Sequence, residues 1–464
     1  MSQNTPRLKR SLGLWSIVGL GIGYMTLTTV FDTFGIVSQE TNGVVPTAYL
    51  VALVAMVFTA ISYGRMTRVF PSSGSAYTYA SETIHPNLGF LVGWTSLMDY
   101  LLLPLVNALI VRIYMESFFP DVPTWIWVVI YVAVITLLNL WSMNSTSKVN
   151  GVLVIFSVIL IGVFLVLSWN ALQGGAGNGT IFTTQPFFHD GVDTGAVISG
   201  ATVVCFSFIG FDAITMYSEE AKDANTVPKA IVLALLIGGA VFFVAAWFSQ
   251  ATFPTLDGFQ NTDDTLPDMA LKVGGEFFKI LFTSASLAAA VASSLSSHAS
   301  VSRMIYVMGR NGNGVFSRFF GYVHPKTRTP FYAILFVGAV SLLAIPFSLE
   351  FISSMINFGA LIAFTVVNLT VMILFGFKKK ESRTPKQIFM NFVLPVIGMI
   401  LTGVLWVNLH ADALTYGAIW LAAGVIVLLA ITRFFRRPLT ITMEDEEIAE
   451  VRAEEAAHQT ASTH

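Results

Sequence analysis

The sequence predicts an all-α integral membrane protein with twelve transmembrane helices, and three observations carry that prediction. The first is composition: of 464 residues, 55% are hydrophobic and 11% charged, with a mean hydropathy of +0.72. Soluble domains run near one-quarter charged residues, so this chain lacks the polar side chains to cover itself in water. The second is that apolar runs of about 20 residues, enough to cross roughly 30 Å of hydrocarbon, recur along the whole length. The third is that Lys and Arg are plentiful in alternate connections and scarce in the others.

The runs begin near Leu12, Val45, Gly89, Thr124, Val149, Val192, Ala230, Phe277, Phe331, Phe351, Phe389 and Thr415. The first has no small-residue cleavage site and is followed by eleven more, so it reads as a span and not a signal peptide. With the N-terminus inside, 22 of the 25 Lys and Arg fall in cytoplasmic segments, leaving Arg112, Lys272 and Lys279 outside. The opposite orientation inverts that bias, so both termini are placed in the cytoplasm. The net charge of −2 averages loops on two sides of an insulating layer and points to no partner, and no nucleic-acid partner is expected. The acidic stretch "MEDEEIAEVRAEEAAHQTASTH" reads as a solvated tail. The single cysteine, Cys205, excludes an internal disulfide.

Two runs are interrupted. The first, "SIVGLGIGYMTLTTVFDTFGIV", carries Gly19, Gly21 and Gly23, and the sixth, "GATVVCFSFIGFDAITMY", carries Gly210. Five spans separate their starts, so they cross the bilayer in opposite directions. Glycine-interrupted segments at matching places of two inverted halves are the sequence mark of a secondary transporter's binding site. The freed backbone groups are tolerated only where they line a cavity. The competing reading is that these glycines let helices pack closely.

Several ionisable residues fall inside spans, where each is costly without a partner. Asp99 and Tyr100 come about ten residues into span three, near the midplane at 1.5 Å per residue. Asp212 follows Gly210 at mid-depth, and Asp32 lies nine residues after Gly23, further towards the outside. Tyr24, Tyr100, Phe206, Phe208 and Phe211 lie close by in the sequence, and a ring facing an ammonium contributes about 0.5–2 kcal/mol. Together with the glycines of the breaks, these residues form the candidate binding site. Against that, Asp212 could cap the second half of its own span, Asp99 and Asp32 could bond neighbouring helices, and the phenylalanines could be packing. Asn357 in span ten could cap a distortion or reach the site. Glu219 and Glu220 end span six as gate candidates, with plain solvation as the alternative. His298, beside Ser293, Ser294, Ser296 and Ser297, reads as a helix–helix hydrogen bonder. Arg112 and Glu116 have the spacing of an i,i+4 pair.

The connecting segments are more specific. "YGRMTRVFPSSGSAYTYASETIHPNLGFLVGW", "FSFIGFDAITMYSEEAKDANTVPKAI" and "SRMIYVMGRNGNGVFSRFFGYVHPKTRTP" resemble, in order, three conserved regions of the amino acid–polyamine–organocation transporters. The resemblance runs from Leu8 to Arg437 and is closest to the bacterial putrescine importers, through "TVFDTFGIVS", "GWTSLMDYLLLP", "SSHASVSRMIYVMGR" and "INFGALIAFTVVNL". It implies a five-plus-five inverted repeat with helices 1 and 6 broken, alternating access, a bacterial inner-membrane location and a cationic amine substrate. On this resemblance residues 1–11 form a cytoplasmic tail, 12–376 the ten-helix core, 377–437 two peripheral helices and 438–464 the acidic tail. Some proton-coupled relatives carry a lysine in span five, and Ser157 stands at that position here.

The residues add to the substrate argument. An amino-acid carboxylate is well held by bare backbone at a half-helix N-terminus, but Tyr24 directly after Gly23 narrows the room for it. A diamine instead needs an acid for each end, and Asp99 and Asp212 supply two. The expected function is therefore import of putrescine or a similar diamine, driven by a coupled proton, the membrane potential, or both. Import or exchange of amino acids or other organic cations is the alternative. No G-x-x-x-x-G-K-[ST] loop, H-E-x-x-H pair or cysteine cluster occurs, so ATP drive, a metal, a cofactor and an enzymatic role are not expected.

Overall fold

The computed structural model describes residues 12–71, 75–141, 146–218, 221–259, 262, 265–311, 319–324, 327, 329–380 and 384–435. The gate candidates Glu219 and Glu220 and the tails 1–11 and 438–464 lie outside the described residues. The described chain is helical. Its one β-type contact is an isolated bridge between Leu12 and Ala221.

Span one is built from α1 (Leu14–Met25), α2 (Thr29–Asp32) and α3 (Phe34–Thr41). Then come α4 (Val45–Val69), α5 (Ser75–Thr83), α6 (Pro86–Phe118), α7 (Thr124–Trp141) and α8 (Thr146–Gln173). Span six consists of α9 (Thr194–Phe208) and a 3₁₀ turn, Ala213–Tyr217. The remainder is α10 (Thr226–Thr252), α11 (Leu266–Asn311), α12 (Phe331–Ser341), α13 (Leu349–Val371), α14 (Leu394–Val407) and α15 (Ala411–Ile431).

Eleven helical segments are long and apolar enough to cross a membrane, and Phe331–Ala344 is apolar but shorter. The ninth expected span is thus the weak one, with 11 residues in α12. The eighth begins earlier than its apolar run, because α11 is jointed at Gly275 (φ 69°), where only glycine rests without strain. α5 had no hydropathy signal at all, being a short polar helix folded back between spans two and three.

Helix starts follow local chemistry. Asp193 accepts from Gly195 N–H at the start of α9, and Ser348 accepts from Phe351 N–H at the start of α13. Before α10, the Thr226 hydroxyl and the Asn225 N–H hold the exposed Asp223 carboxyl below its usual range.

Burial separates inner from outer spans. The span-three and span-six windows are 89% and 83% buried, whereas those of spans four, five and twelve are 28%, 28% and 17%. The outer helices show large apolar side chains such as Leu137, Ile155 and Ile426, which suits contact with lipid tails. Span twelve is anchored to span three by Trp94 and Trp420, stacked at 4.8 Å, each indole donating to the other's carbonyl.

The two ends of the bundle gather different connections. At one end Lys222 N–H donates to Leu12 O, and Arg65 donates to Met390 O and Asn391 Oδ1 while lying over the Phe375 ring. At the other end Thr47 donates to Phe187 O, and the guanidinium of Arg112 donates to the carbonyls of Ala344, Ile345 and Phe347. Arg112 therefore closes the end of the short ninth span, a role its spacing from Glu116 did not suggest.

Candidate functional site

Both breaks exist, but they are built differently. In span six, α9 stops at Phe208, Ile209 turns extended, and Gly210 takes φ +120°. A side chain at Gly210 would start 3.0 Å from Tyr24 Cβ and 3.1 Å from Met25 N, so this break lies directly against span one. In span one the helix runs through Gly19, Gly21 and Gly23 and breaks at Thr26, in the left-handed region (φ 48°, ψ 88°). The glycine run does not supply the break. Gly21 instead admits Ile214, whose Cδ1 would lie 2.3 Å from an added Cβ, which is the packing reading of that glycine. The Thr26 turn is closed by Thr29, whose N–H and hydroxyl both donate to Thr26 O.

Asp212 is buried and uses both carboxylate oxygens: Oδ1 accepts from Gly210 N–H at 3.2 Å and Oδ2 from the Tyr100 hydroxyl at 3.1 Å. It does not cap the 3₁₀ turn that follows, contrary to the capping alternative. It fastens the break from behind and ties it to span three. A carboxylate offers about four acceptor positions, so two remain for another donor.

Asp99 is also buried, and its Oδ1 has no hydrogen-bond partner. α13 closes over it: an added Cβ on Gly359 would meet Thr95 O at 2.5 Å and Asp99 N at 3.6 Å. Asp99 and Asp212 lie within electrostatic reach of each other and of Tyr24, Tyr63 and Tyr100. The Tyr24 hydroxyl is buried with no partner. Among the described residues no ion pair reaches either acid. Two buried carboxylates and two unpartnered polar atoms face one another with no cation in attendance.

A cavity of about 20 Å³ adjoins this cluster, lined in part by Tyr24, Thr29, Asn107, Phe206, Ile209 and Ser293. A second of about 10 Å³ lies beside Gly23, Thr26 and Ser157. Each has room for about one water. The site is closed on all sides in this conformation.

The other expected residues lie elsewhere. Phe208 packs with Tyr49 and Phe242, and Phe211 with Tyr63 and Phe364. Asp32 is buried and accepts from the Tyr114 hydroxyl, leaving Oδ2 without a partner. Asn357 donates to Thr202 O at 2.9 Å and so ties α13 to α9. His298 meets Ile334 O at 3.0 Å, linking α11 to α12.

Sequence reasoning missed Asn107, which donates to Ser293 Oγ at 3.1 Å across the cavity. Its signal was available: Asp99, Leu103 and Asn107 share one helical stripe, and a polar residue on the stripe of a buried acid belongs with it. Tyr63, from span two, was also missed.

The amino acid permease family matches residues 12–431. The low-affinity putrescine importer PlaP of Escherichia coli K12 is 46% identical over 443 residues, which is 95% of this chain and 98% of that protein. The branched-chain amino acid permease BcaP of Bacillus subtilis is 25% identical over 92% of this chain and 94% of its own length. Cationic amino acid transporter 4 of mouse is 27% identical over 79% of this chain and 60% of its own length. A family match over nearly all the described helices, around a closed site between two broken spans, leaves one conclusion: the chain is a transporter of the amino acid permease family.

Proposed function

We propose that this protein imports putrescine or a similar short diamine by alternating access, with Asp212 and Asp99 receiving the two ammonium ends. The observation that carries the reading is the pair of buried, neighbouring carboxylates without a cation, one of them with an unpartnered oxygen. An unpaired charge at this depth costs several kcal/mol, and a dication satisfies both acids at once. Tyr24, Tyr63 and Tyr100 bracket the acids and suit the methylene chain and its charges. The similarity to PlaP supports the same substrate class.

The fuller architecture belongs to this reading: twelve spans, with the short Phe331–Ala344 segment as the ninth, a five-plus-five repeat over 12–376, and peripheral helices over 377–437. Connections that odd–even alternation puts on one face do meet, as Leu12 with Lys222 and Thr47 with Phe187. The Lys and Arg bias makes the Leu12 face cytoplasmic. A reagent that labels a cysteine at Asn178 only from the cytoplasm would overturn this orientation. The membrane potential suffices as a driving force, since two charges gain about 4.6 kcal/mol per 100 mV. Ser157 in place of a lysine leaves a carboxylate as the carrier if a proton is coupled.

Amino-acid or other organic-cation transport is the second reading, favoured by the permease relatives. The test is binding of putrescine to the purified Asp212→Asn variant, with competition by cadaverine, spermidine and lysine. Asparagine keeps an acceptor for Gly210 N–H but removes the charge. Losing a charged partner from a buried site costs about 2–5 kcal/mol, so affinity should fall by tenfold or more with the thermal melt retained. Unchanged affinity would show that Asp212 serves only its own break.

A further inference from the structure

Away from the central site, the outer face carries two imidazoles on the same short element. His410, between α14 and α15, places Nε2 3.9 Å from Glu40 Oε1 and 3.7 Å from Glu350 Oε1, with no hydrogen bond of its own. Glu40 lies in the last turn of α3 and also accepts from the Ser199 hydroxyl of α9 at 2.6 Å. His189, in the connection before α9, places Nε2 2.8 Å from Asn42 O and Nδ1 3.0 Å from Asp190 O. Asn42 is the C-cap of α3.

Chemistry gives both arrangements one sense. A neutral imidazole has one donor and one acceptor, so it can satisfy only one of the two carbonyls that face His189, whereas the imidazolium satisfies both. His410 between two carboxylates gains two ion pairs on protonation and none without it. Both contacts are made at the C-terminal end of α3, where the helix dipole also favours a cation. The charged groups concerned are Glu40 from α3 and Glu350 from α13. On the rings' own segments, Asp412 lies two residues beyond His410 and Asp190 follows His189. Arg112, the nearby cation, is turned to the carbonyls that precede α13.

We propose that His410 and His189 form a proton-operated latch on the outer end of span one. Protonated, they hold α3 against α13 and against the connection before α9. Neutral, they release it, and the helix leading in to Thr26 and Tyr24 is free to swing open. The closed state therefore gains protons relative to the open one, so acid outside favours closure and rising pH favours opening. This sign is opposite to that of a transporter merely driven by external protons. The inference rests on the alternating-access and orientation reading above.

The test is chosen to be independent of substrate. In a Cys205→Ala background, a cysteine placed at Thr29, which lines the central cavity, is labelled in proteoliposomes with a membrane-impermeant thiol reagent. The parent is compared with the His410→Gln/His189→Gln variant at each external pH, so that thiolate chemistry cancels in the ratio. At pH 5.5 the variant should label about fivefold faster, the size expected when a few partly exposed ion contacts are lost. At pH 8 the ratio should be near one. His410→Arg, which keeps the charge at every pH, should label slowly and give a flatter ratio. Equal labelling of parent and glutamine variant at pH 5.5 overturns the latch, whatever the substrate is. Labelling from the cytoplasmic side alone overturns the orientation instead. Absence of putrescine uptake by the parent would remove the substrate reading and leave this measurement standing.

Discussion

The breaks in spans one and six touch, yet they use opposite chemistry. Span six breaks at a glycine that no other residue could replace, with φ +120° and Tyr24 Cβ 3.0 Å from any added carbon. An acid two residues later ties down the freed N–H. Span one breaks at a threonine, closed by a neighbouring threonine's hydroxyl, and keeps its glycines for packing. The charge sits in one break and the space in the other. A cation drawn to Asp212 meets the Tyr24 face of span one, so binding energy developed in span six is available to move span one.

The largest expected effect follows from Gly210. Gly210→Ala forces a side chain into a conformation that costs about 1–3 kcal/mol and drives its Cβ against Tyr24. Uptake should fall by more than about tenfold, with a lower melting temperature in detergent. Near-normal uptake would mean that the two breaks separate freely, and the proposed contact between them would carry no function. Next is Tyr100, which reaches from span three to the span-six break alone. Tyr100→Leu loses a hydrogen bond to a charged group and an aromatic face, together worth about 1.5–3 kcal/mol. KM for putrescine should rise about tenfold or more at unchanged membrane abundance, and Tyr100→Phe should recover part of it.

A smaller effect is expected at Gly21. An added methyl meets the far end of the Ile214 side chain at 2.3 Å, an atom that can rotate away. Gly21→Ala should lower stability by about 1–3 kcal/mol through overpacking. The second substitution Ile214→Ala should restore most of it. Failure of that rescue would place the strain in the backbone of span one, making its glycines a hinge after all.

Hydropathy alone made most spans legible, because a bilayer leaves a helix few ways to satisfy its backbone. It failed where a segment was polar or short: α5 carries no apolar run, and α12 is too brief to stand out. The central acids were legible as charges out of place. Their closeness was not, since Asp99 and Asp212 are 113 positions apart and only the packing of α6 against the span-six break joins them. The break in span one was misplaced for a specific reason. Left-handed backbone is read from glycine, and Thr26 adopts it with a side chain that rarely does. Gly19, Gly21 and Gly23 drew attention away from the residue that turns.

Gly19 offers the smallest effect and the cleanest separation of the two breaks. It lies within α1, and a Cβ built there meets nothing within 4 Å. If the glycines of span one serve packing and not bending, each should behave according to its own neighbours. Gly19 has none to offend. In a helix interior alanine is favoured over glycine by about 0.5–1 kcal/mol, because glycine loses more freedom on folding. Gly19→Ala should therefore raise the melting temperature slightly and leave uptake unchanged, while Gly21→Ala lowers both. A hinge spread over the glycine run predicts something else, since stiffening any member would slow transport. If Gly19→Ala depresses uptake as much as Gly21→Ala, span one bends along its glycines, and the two breaks work by the same chemistry.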